Sequence, residues 1–489
     1  MSEETVGRPG GFLAALDTRH VGGFYVYLAV LATIGGFLFG YDTANIGSAL
    51  PFLPFNLGAI GIGIVVSGAS VGAAVGAISA GPVTDRFGRK YLLILDSAIF
   101  ALGAILSAVA WNAAVLDVAR IVIGLAIGAD SAIATAYISE FAPKNRRGSL
   151  SIIQQWMITV GILVAYIIAV IVLEVAPHAT SNVDWRLLLG LGAIPALVSL
   201  ALRARMPESP RWLLLQGRNE DVKHALHKLG MEVTDQQVTE EVAAVRAQVA
   251  AGSVRSRFTP AVRRALIVIC VWFTFQQITG INVAFYYGPH LLMPYFVGPH
   301  TSAVQAEVSG VLAATVLAIV NVISTFFAFR YIDRVGRRLL GMGAYTGMFV
   351  FLLVGAAGAA YLHGVAQLIL IMVGFALFIA CFAIGVGGTG WLLQGEVFPT
   401  SVRGTAASIG ATVDWLANYV LVLVYPIASA ALGLPWVMVI FAVLCVFAVL
   451  FINRFVPETK GLAADDVIKL FDGPVKRTRP STPSTPQPT

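Results

Sequence analysis

The sequence predicts an all-α membrane protein: twelve transmembrane helices in two pseudo-symmetric six-helix bundles, with a short cytoplasmic helical insert between them. Three observations carry this. Hydrophobic residues make up 57% of the 489 residues and charged residues 12%, where a soluble domain carries about 25% charged. Such a chain cannot cover itself with polar side chains, so lipid must be its solvent. Apolar stretches near the length that spans a bilayer, about 20 residues, recur along the whole chain. Finally, three charged signatures occur twice in the same order. Asp85-Arg86-Phe87-Gly88-Arg89-Lys90 returns as Asp333-Arg334-Val335-Gly336-Arg337-Arg338; Glu140, Pro143, Arg147 and Gly148 return as Glu396, Pro399, Arg403 and Gly404; Pro207-Glu208-Ser209 returns as Pro457-Glu458-Thr459. One Asp-Arg-x-Gly-Arg is weak evidence, but three signatures in register mark a duplication.

The elements follow in order. Residues 1–23 form a cytoplasmic N-terminal segment. Its Glu3, Glu4, Arg8 and Arg19 lack the layout of a cleavable signal, so the first span is the insertion signal. The first bundle, 24–203, holds spans near Phe24–Ile46, Ile60–Val83, Tyr91–Trp111, Ala114–Phe141, Leu150–Leu173 and Trp185–Leu202. Residues 204–260 are polar, and the spacing of Val222, Leu226, Leu229, Val238, Val242, Val245 and Val249 predicts short amphipathic helices under the membrane domain. The second bundle, 261–456, holds spans near Val262–Tyr287, Ala303–Phe329, Leu339–Tyr361, Gln367–Val397, Thr405–Ala431 and Trp436–Phe455. Residues 457–489 are a cytoplasmic tail. From about 472 its Pro, Ser and Thr content cannot bury a core and predicts disorder.

Lysine and arginine set the orientation. The loops after the second, fourth, eighth and tenth spans carry Arg86, Arg89, Lys90, Lys144, Arg146, Arg147, Arg334, Arg337, Arg338 and Arg403, and the linker between the bundles is also basic. The opposite loops carry almost none, Arg186 excepted. Both termini are therefore expected in the cytoplasm, in a plasma membrane. The net charge of +6 faces anionic headgroups and implies no nucleic-acid partner. Cys270, Cys381 and Cys445 all fall in apolar spans, which argues against a disulfide framework. No cofactor or metal is expected, since no His/Cys/Asp cluster has ligand spacing; His224 and His227 read as solvated. Gly385-Val386-Gly387-Gly388-Thr389-Gly390 matches a dinucleotide fingerprint, but it interrupts a membrane span. It reads as a glycine hinge or close helix contact.

Polar groups within the spans carry the functional signal. Asp42 lies about 27 Å from the cytoplasmic end of the first span, and Arg120 about 30 Å from Glu140 at the end of the fourth. They share a depth and can pair, either as a static lock or as a proton site. Asp130 and Asp414 sit near the midplane, about 15 Å deep, where a charge usually faces a cavity or a partner; both are candidates to face the solute, the alternative being neutral groups hydrogen-bonded to a neighbouring helix. Gln155, Gln276, Gln277, Asn282 and Asn321, with Trp391 and Trp415, lie within spans of both bundles. Amides offer donors and acceptors to a polyhydroxyl solute, and an indole face stacks on the C–H face of a pyranose.

At these residues the chain resembles the sugar porter family of the major facilitator superfamily. The resemblance runs from about Gly35 to Gly461 and rests on Gly40-Tyr41-Asp42, Gly81–Lys90, Arg120 with Glu140, Pro207–Trp212, Gln276–Asn282, Asp333–Arg338, Glu396–Pro399 with Arg403-Gly404, and Pro457–Gly461. It implies a major facilitator fold, sugar contact at Gln155, Gln276, Gln277, Asn282, Asn321, Trp391 and Trp415, and proton coupling at Asp42 with Arg120. It also implies a cytoplasmic charge network of Asp85, Arg89, Glu140, Arg147, Asp333, Arg337, Glu396 and Arg403. Asp414 departs from the family, which usually offers an amide there. The Gly-Gly-Thr-Gly run before Trp391 stands where many members have proline, and Gly128-Ala129-Asp130 looks more like related phosphate and organic-ion symporters. The expected function is proton-coupled symport of a small sugar or polyol by a monomer. The same fold carrying phosphate, an organic ion or an amine is the alternative, ahead of a non-transporting sugar sensor. No covalent chemistry is expected.

Overall fold

The structure is a computed structural model describing residues 23–141, 147–175, 184–228, 231–255, 258–297, 301–460 and 467–471. Among these residues every regular element is helical. The first half comprises α1 (Gly23–Ala49), α2 (Ala59–Phe87), α3 (Arg89–Ala108), α4 (Ala113–Phe141), α5 (Arg147–Val175) and α6 (Asp184–Arg203). The linker folds as α7 (Pro210–Leu215), α8 (Asn219–Lys228) and α9 (Asp235–Arg255). The second half comprises α10 (Pro260–Tyr286), α11 (Ala303–Val335), α12 (Arg337–Tyr361), α13 (Gly364–Val397), α14 (Thr400–Leu432) and α15 (Leu434–Phe455). Among the described residues eleven helices are long and apolar enough to cross a membrane. The remaining one, α4, has 29 residues but carries Asp117, Arg120, Asp130 and Glu140. Large apolar side chains such as Phe326, Leu339, Phe447 and Leu450 stand exposed on the outer wall, which suits a lipid solvent rather than water.

Helices in lipid gain little from apolar burial against each other, so close packing of small residues drives association. The α2–α4 pair shows this. Cβ atoms added at Gly72 or Gly76 would collide with the Ile121 and Leu125 carbonyls, and those at Gly124 or Gly128 with the Ala69 and Ala73 carbonyls. The two backbones touch over about two turns. Between the halves, α2 packs on α14 and α5 on α11, the equivalent helix pairs of a two-fold arrangement.

The duplicated signatures meet in space, each within its own half. Gly88 and Gly336 sit at φ 96° and 95°, a region open to glycine, and let α2 turn into α3 and α11 into α12. The Glu208 carboxylate accepts from the backbone N–H of Arg89 at 3.0 Å and of Lys90 at 3.1 Å. Glu458 accepts from Arg337 at 3.0 Å and Arg338 at 3.2 Å.

The linker helices dock beneath the first half. Ser209 caps α7 through the Trp212 N–H, Trp212 Nε1 donates to the Asp85 carbonyl at 3.0 Å, and Tyr137 Oη donates to the Pro207 carbonyl at 2.8 Å. Val222, Leu226 and Val238 are buried against Leu92, Leu93, Tyr137 and Trp212, the amphipathic face that the spacing predicts. Leu229 and the tail beyond Phe471 lie outside the described residues, and nothing is described of the Val245 and Val249 side chains.

One expectation of a continuous span is corrected, that of the seventh, while the tenth is interrupted where its glycine run reads as a hinge. The seventh span breaks at residues 279–282, where Gly280 adopts φ 94°. The tenth breaks at residues 386–388, inside the glycine run. Apolar length alone does not register such breaks, because the flanking turns stay hydrophobic.

Candidate functional site

A cavity lies between the two halves, lined by residues of both. It is lined by Gln155, Gln276, Gln277, Asn282, Asn321, Trp391, Asp414, Trp415 and Asp130. All nine residues expected to face a solute are brought together, from α4, α5, α10, α11, α13 and α14.

The breaks explain how the polar groups arrive. At the α10 break Asn282 Nδ2 donates to Gln277 Oε1 at 2.7 Å and to Asn418 Oδ1 at 3.1 Å. Gln277 Nε2 donates to Asp414 Oδ1 at 2.8 Å. At the α13 break the Gly387 carbonyl is freed from the helix and accepts from Gln276 Nε2 at 3.3 Å. Gly390, one turn on, lies so close to Gln276 and Trp272 that any Cβ would overlap them. The glycine run is thus both a break and a close contact.

Aromatic neighbours hold both indoles, Trp415 edge-on and Trp391 tilted. Phe39 packs on Trp415 at 4.9 Å with an interplanar angle of 74°, and Phe273 packs on Trp391 at 4.8 Å. Trp415 Nε1 donates to Ser131 Oγ at 3.3 Å, Asn418 Nδ2 to Ser70 Oγ at 3.1 Å, and Tyr166 Oη to the Phe285 carbonyl at 2.5 Å. These three bonds join the halves. They run from mid-depth toward the face opposite the Arg-rich turns.

Asp42 and Arg120 form an ion pair, as their shared depth predicts, and both are buried. Neither lines the cavity. The pair stands beside it, on helices that also supply cavity residues: Gly35, Gly36 and Phe39 from α1, Asp130 and Ser131 from α4. Asp130 has a cation of its own, Arg203 on α6. Asp414 has none among the described ion pairs, and its described partner is the Gln277 amide.

In the charge network, Arg89 Nε lies 3.2 Å from Glu140 and its Nη1 3.6 Å from Asp85. Arg337 Nη2 lies 2.7 Å from Glu396, whose other oxygen accepts from Thr459 at 2.9 Å. Arg403 Nε donates to the Phe398 carbonyl at 3.0 Å. These ties stay within one half. The Arg147 and Asp333 side chains lie outside the described residues.

The predicted site omits Gln154, Ser131, Asn418, Asp96 and Arg203. Asp96 was legible as a lone acid in an apolar span. Arg203 lies one residue past the predicted end of its span at Leu202.

Two six-helix bundles around a polar cavity, with broken helices at that cavity and a buried ion pair beside it, define a membrane carrier of the major facilitator fold. The chain belongs to the sugar (and other) transporter family, whose profile matches residues 28–471. It is similar to the glucose transporter GlcP of Staphylococcus epidermidis, 35% identical over 410 residues, or 83% of this chain and 87% of that one. The arabinose-proton symporter of Bacillus subtilis is 31% identical over 456 residues, or 92% of this chain and 96% of the relative. The fold matches the partially occluded inward-open conformation of the xylose transporter XylE from E. coli with a TM-score of 0.77 at 26% identity, covering 90% of this chain and all of that one.

Proposed function

We propose that this chain is a proton-coupled symporter moving a small neutral sugar or polyol across the plasma membrane by alternating access. The observation that carries the reading is the cavity between the halves, where six amide side chains and two indoles converge. Amides meet hydroxyls as donors or acceptors without charge. Relatives named as a glucose transporter and an arabinose-proton symporter support the cargo and the coupling.

Coupling falls to Asp42 and Arg120. Ionised, the pair ties α1 to α4. A proton on Asp42 removes the attraction and frees α1, which carries Gly35, Gly36 and Phe39 of the cavity. The halves then rock about the site. The Lys- and Arg-rich turns support a cytoplasmic side for both termini. With that orientation, the bonds joining the halves close the outer side, an inward-facing arrangement. The cavity is complete within one chain, so a monomer suffices.

The test is counterflow and uptake in proteoliposomes with hexoses, pentoses, polyols, amino sugars and phosphate. Saturable counterflow of a neutral sugar, driven further by an inward proton gradient, is the expected result. A second reading, an amine-bearing solute, is favoured by Asp414, an acid in the cavity whose described partner is an amide.

A further inference from the structure

The transport cycle above leaves one buried charged cluster unused, between α3, α4 and α6. Arg203 is 0% exposed, and Asp130 and Asp96 are each 3% exposed. Arg203 Nη2 donates to Asp130 Oδ1 and, at 2.9 Å, to the Ala32 carbonyl. Its Nη1 donates to the Leu93 carbonyl at 2.9 Å and to Ser97 Oγ at 3.3 Å, and its Nε to the Leu31 carbonyl at 3.3 Å. Every guanidinium nitrogen is engaged, and none is left for Asp96. Both Asp96 oxygens are buried without a hydrogen-bond partner among the described residues, and so is Asp130 Oδ2. Asp96 nevertheless stands within electrostatic range of Asp130 and Arg203.

Charge balance decides what this cluster holds. Two carboxylates around one guanidinium leave an uncompensated negative charge in the protein interior. The charged groups facing Asp96 are Asp130 from α4 and Arg203 from α6. The carbonyls that α1 supplies, those of Leu31 and Ala32, cannot stabilise an anion, and α2 brings no described charge into the cluster. A buried carboxylate without donors is neutralised rather than kept ionised. Arg203 binds Asp130 and also meets Leu93 and Ser97, which share a face of α3 with Asp96, so the two acids flank one guanidinium, and acids that interact through a common cation take up protons as one unit.

We propose that Asp96 and Asp130 share one exchangeable proton beside Arg203. This is a proton-binding site separate from Asp42 and Arg120, and Asp130 connects it to the solute cavity. The connection rests on the transport reading above. Asp130 lines the cavity, and its carboxyl group packs so tightly on Gly35 that a Cβ there would overlap it. The next residue, Ser131, holds Trp415. A solute hydroxyl or ammonium donating to Asp130 Oδ2 favours the ionised form of Asp130. The shared proton then moves to Asp96, with no proton gained or lost overall.

Infrared spectroscopy of the purified protein in liposomes tests this, because a protonated carboxyl group has a carbonyl stretch that a carboxylate lacks. Asp42→Asn serves as the background, silencing the first site. A protonated carboxyl band is expected there across neutral pH, lost when Asp96→Asn is added. Asp96→Asn copies the neutral side chain and should keep the fold. If it fails to assemble, Asp130→Asn reads the same proton, since Asp96 then becomes the sole counter-ion of Arg203 and ionises. Spectra unchanged by either substitution would overturn the inference. The band requires no solute, so failure of every solute in the panel leaves this measurement intact. Conversely, sugar uptake without the band leaves the transport reading standing and removes the second site.

Discussion

Glu208 accepts a hydrogen bond from the backbone N–H of Lys90 at 3.1 Å, across 118 residues of chain. It supplies from a distance what the turn lacks, since the N-cap of α3 is Gly88, with no side chain to offer. Burial pushes the Glu208 carboxyl group up from its ordinary value, and the N–H groups of Ser209, Lys90 and Arg89 oppose that shift. Glu458 repeats the arrangement on α12, whose N-cap is Gly336. A carboxylate at a helix N-terminus satisfies orphan donors and complements the helix dipole.

Removing these caps should therefore loosen the base of each half. Glu208→Ala and Glu458→Ala are expected to cost about 1–2 kcal/mol each, the value of a lost N-cap. Gln, which keeps an acceptor oxygen, should cost less. Lower melting temperatures in the order Ala, then Gln, then the native chain would check this. Equal melting of all three proteins would refute the capping role. The Arg89–Glu140 and Arg337–Glu396 pairs rest on the same turns, so Glu140→Gln with Glu396→Gln should also shift the two-state equilibrium. Accessibility of cysteines introduced along the cavity reports that shift.

The duplication, the spans and the convergence of polar residues were legible because membrane physics leaves few options. A charge or amide within an apolar span must face a partner or a cavity. Asp42 and Arg120 could be paired from helix rise alone. The break in α13 was legible in its glycine run, which reads as a hinge, but the break in α10 was not. Gly280 looks like any glycine until a positive φ gives it a task. Arg203 escaped because its place in a bundle depends on helix rotation, which a hydropathy pattern with apolar residues all round does not record. The pairing of Glu208 with the α3 turn is a long-range contact, and no local pattern encodes it.

Asp42→Asn should uncouple transport. The amide keeps the shape but cannot carry the charge that holds Arg120. Accumulation driven by an imposed proton gradient is expected to vanish, while solute exchange across the membrane persists. A mutant that still concentrates solute against its gradient would show that coupling lies elsewhere.

Gly280→Ala should weaken solute binding without touching any solute-facing atom. At φ 94° an alanine is strained, and its Cβ would come within 2.5 Å of the Phe441 ring. Relief requires the α10 break to open, which pulls Asn282 away from Gln277. A reorganisation of about 1.4 kcal/mol would lower affinity tenfold. Titration calorimetry on the purified variant measures it, with Gly343→Ala as control because added Cβ atoms there meet open space. Equal affinities for both variants would mean that the break does not position the amides.

Asp414→Asn separates the two cargo classes. Asp414 lines the cavity and accepts from Gln277 Nε2 at 2.8 Å. An asparagine there keeps an oxygen for that bond and adds an N–H donor. A neutral sugar meets either side chain through hydrogen bonds, so uptake should survive with altered selectivity among sugars. An ammonium-bearing solute needs the carboxylate. Its loss would remove a desolvated charge contact of several kcal/mol, a fall of about 100-fold or more in affinity. Binding of the best panel solute to both proteins decides the matter. Retained binding of a neutral sugar supports the sugar reading, whereas near-complete loss of binding by an amine would make this chain a cation carrier.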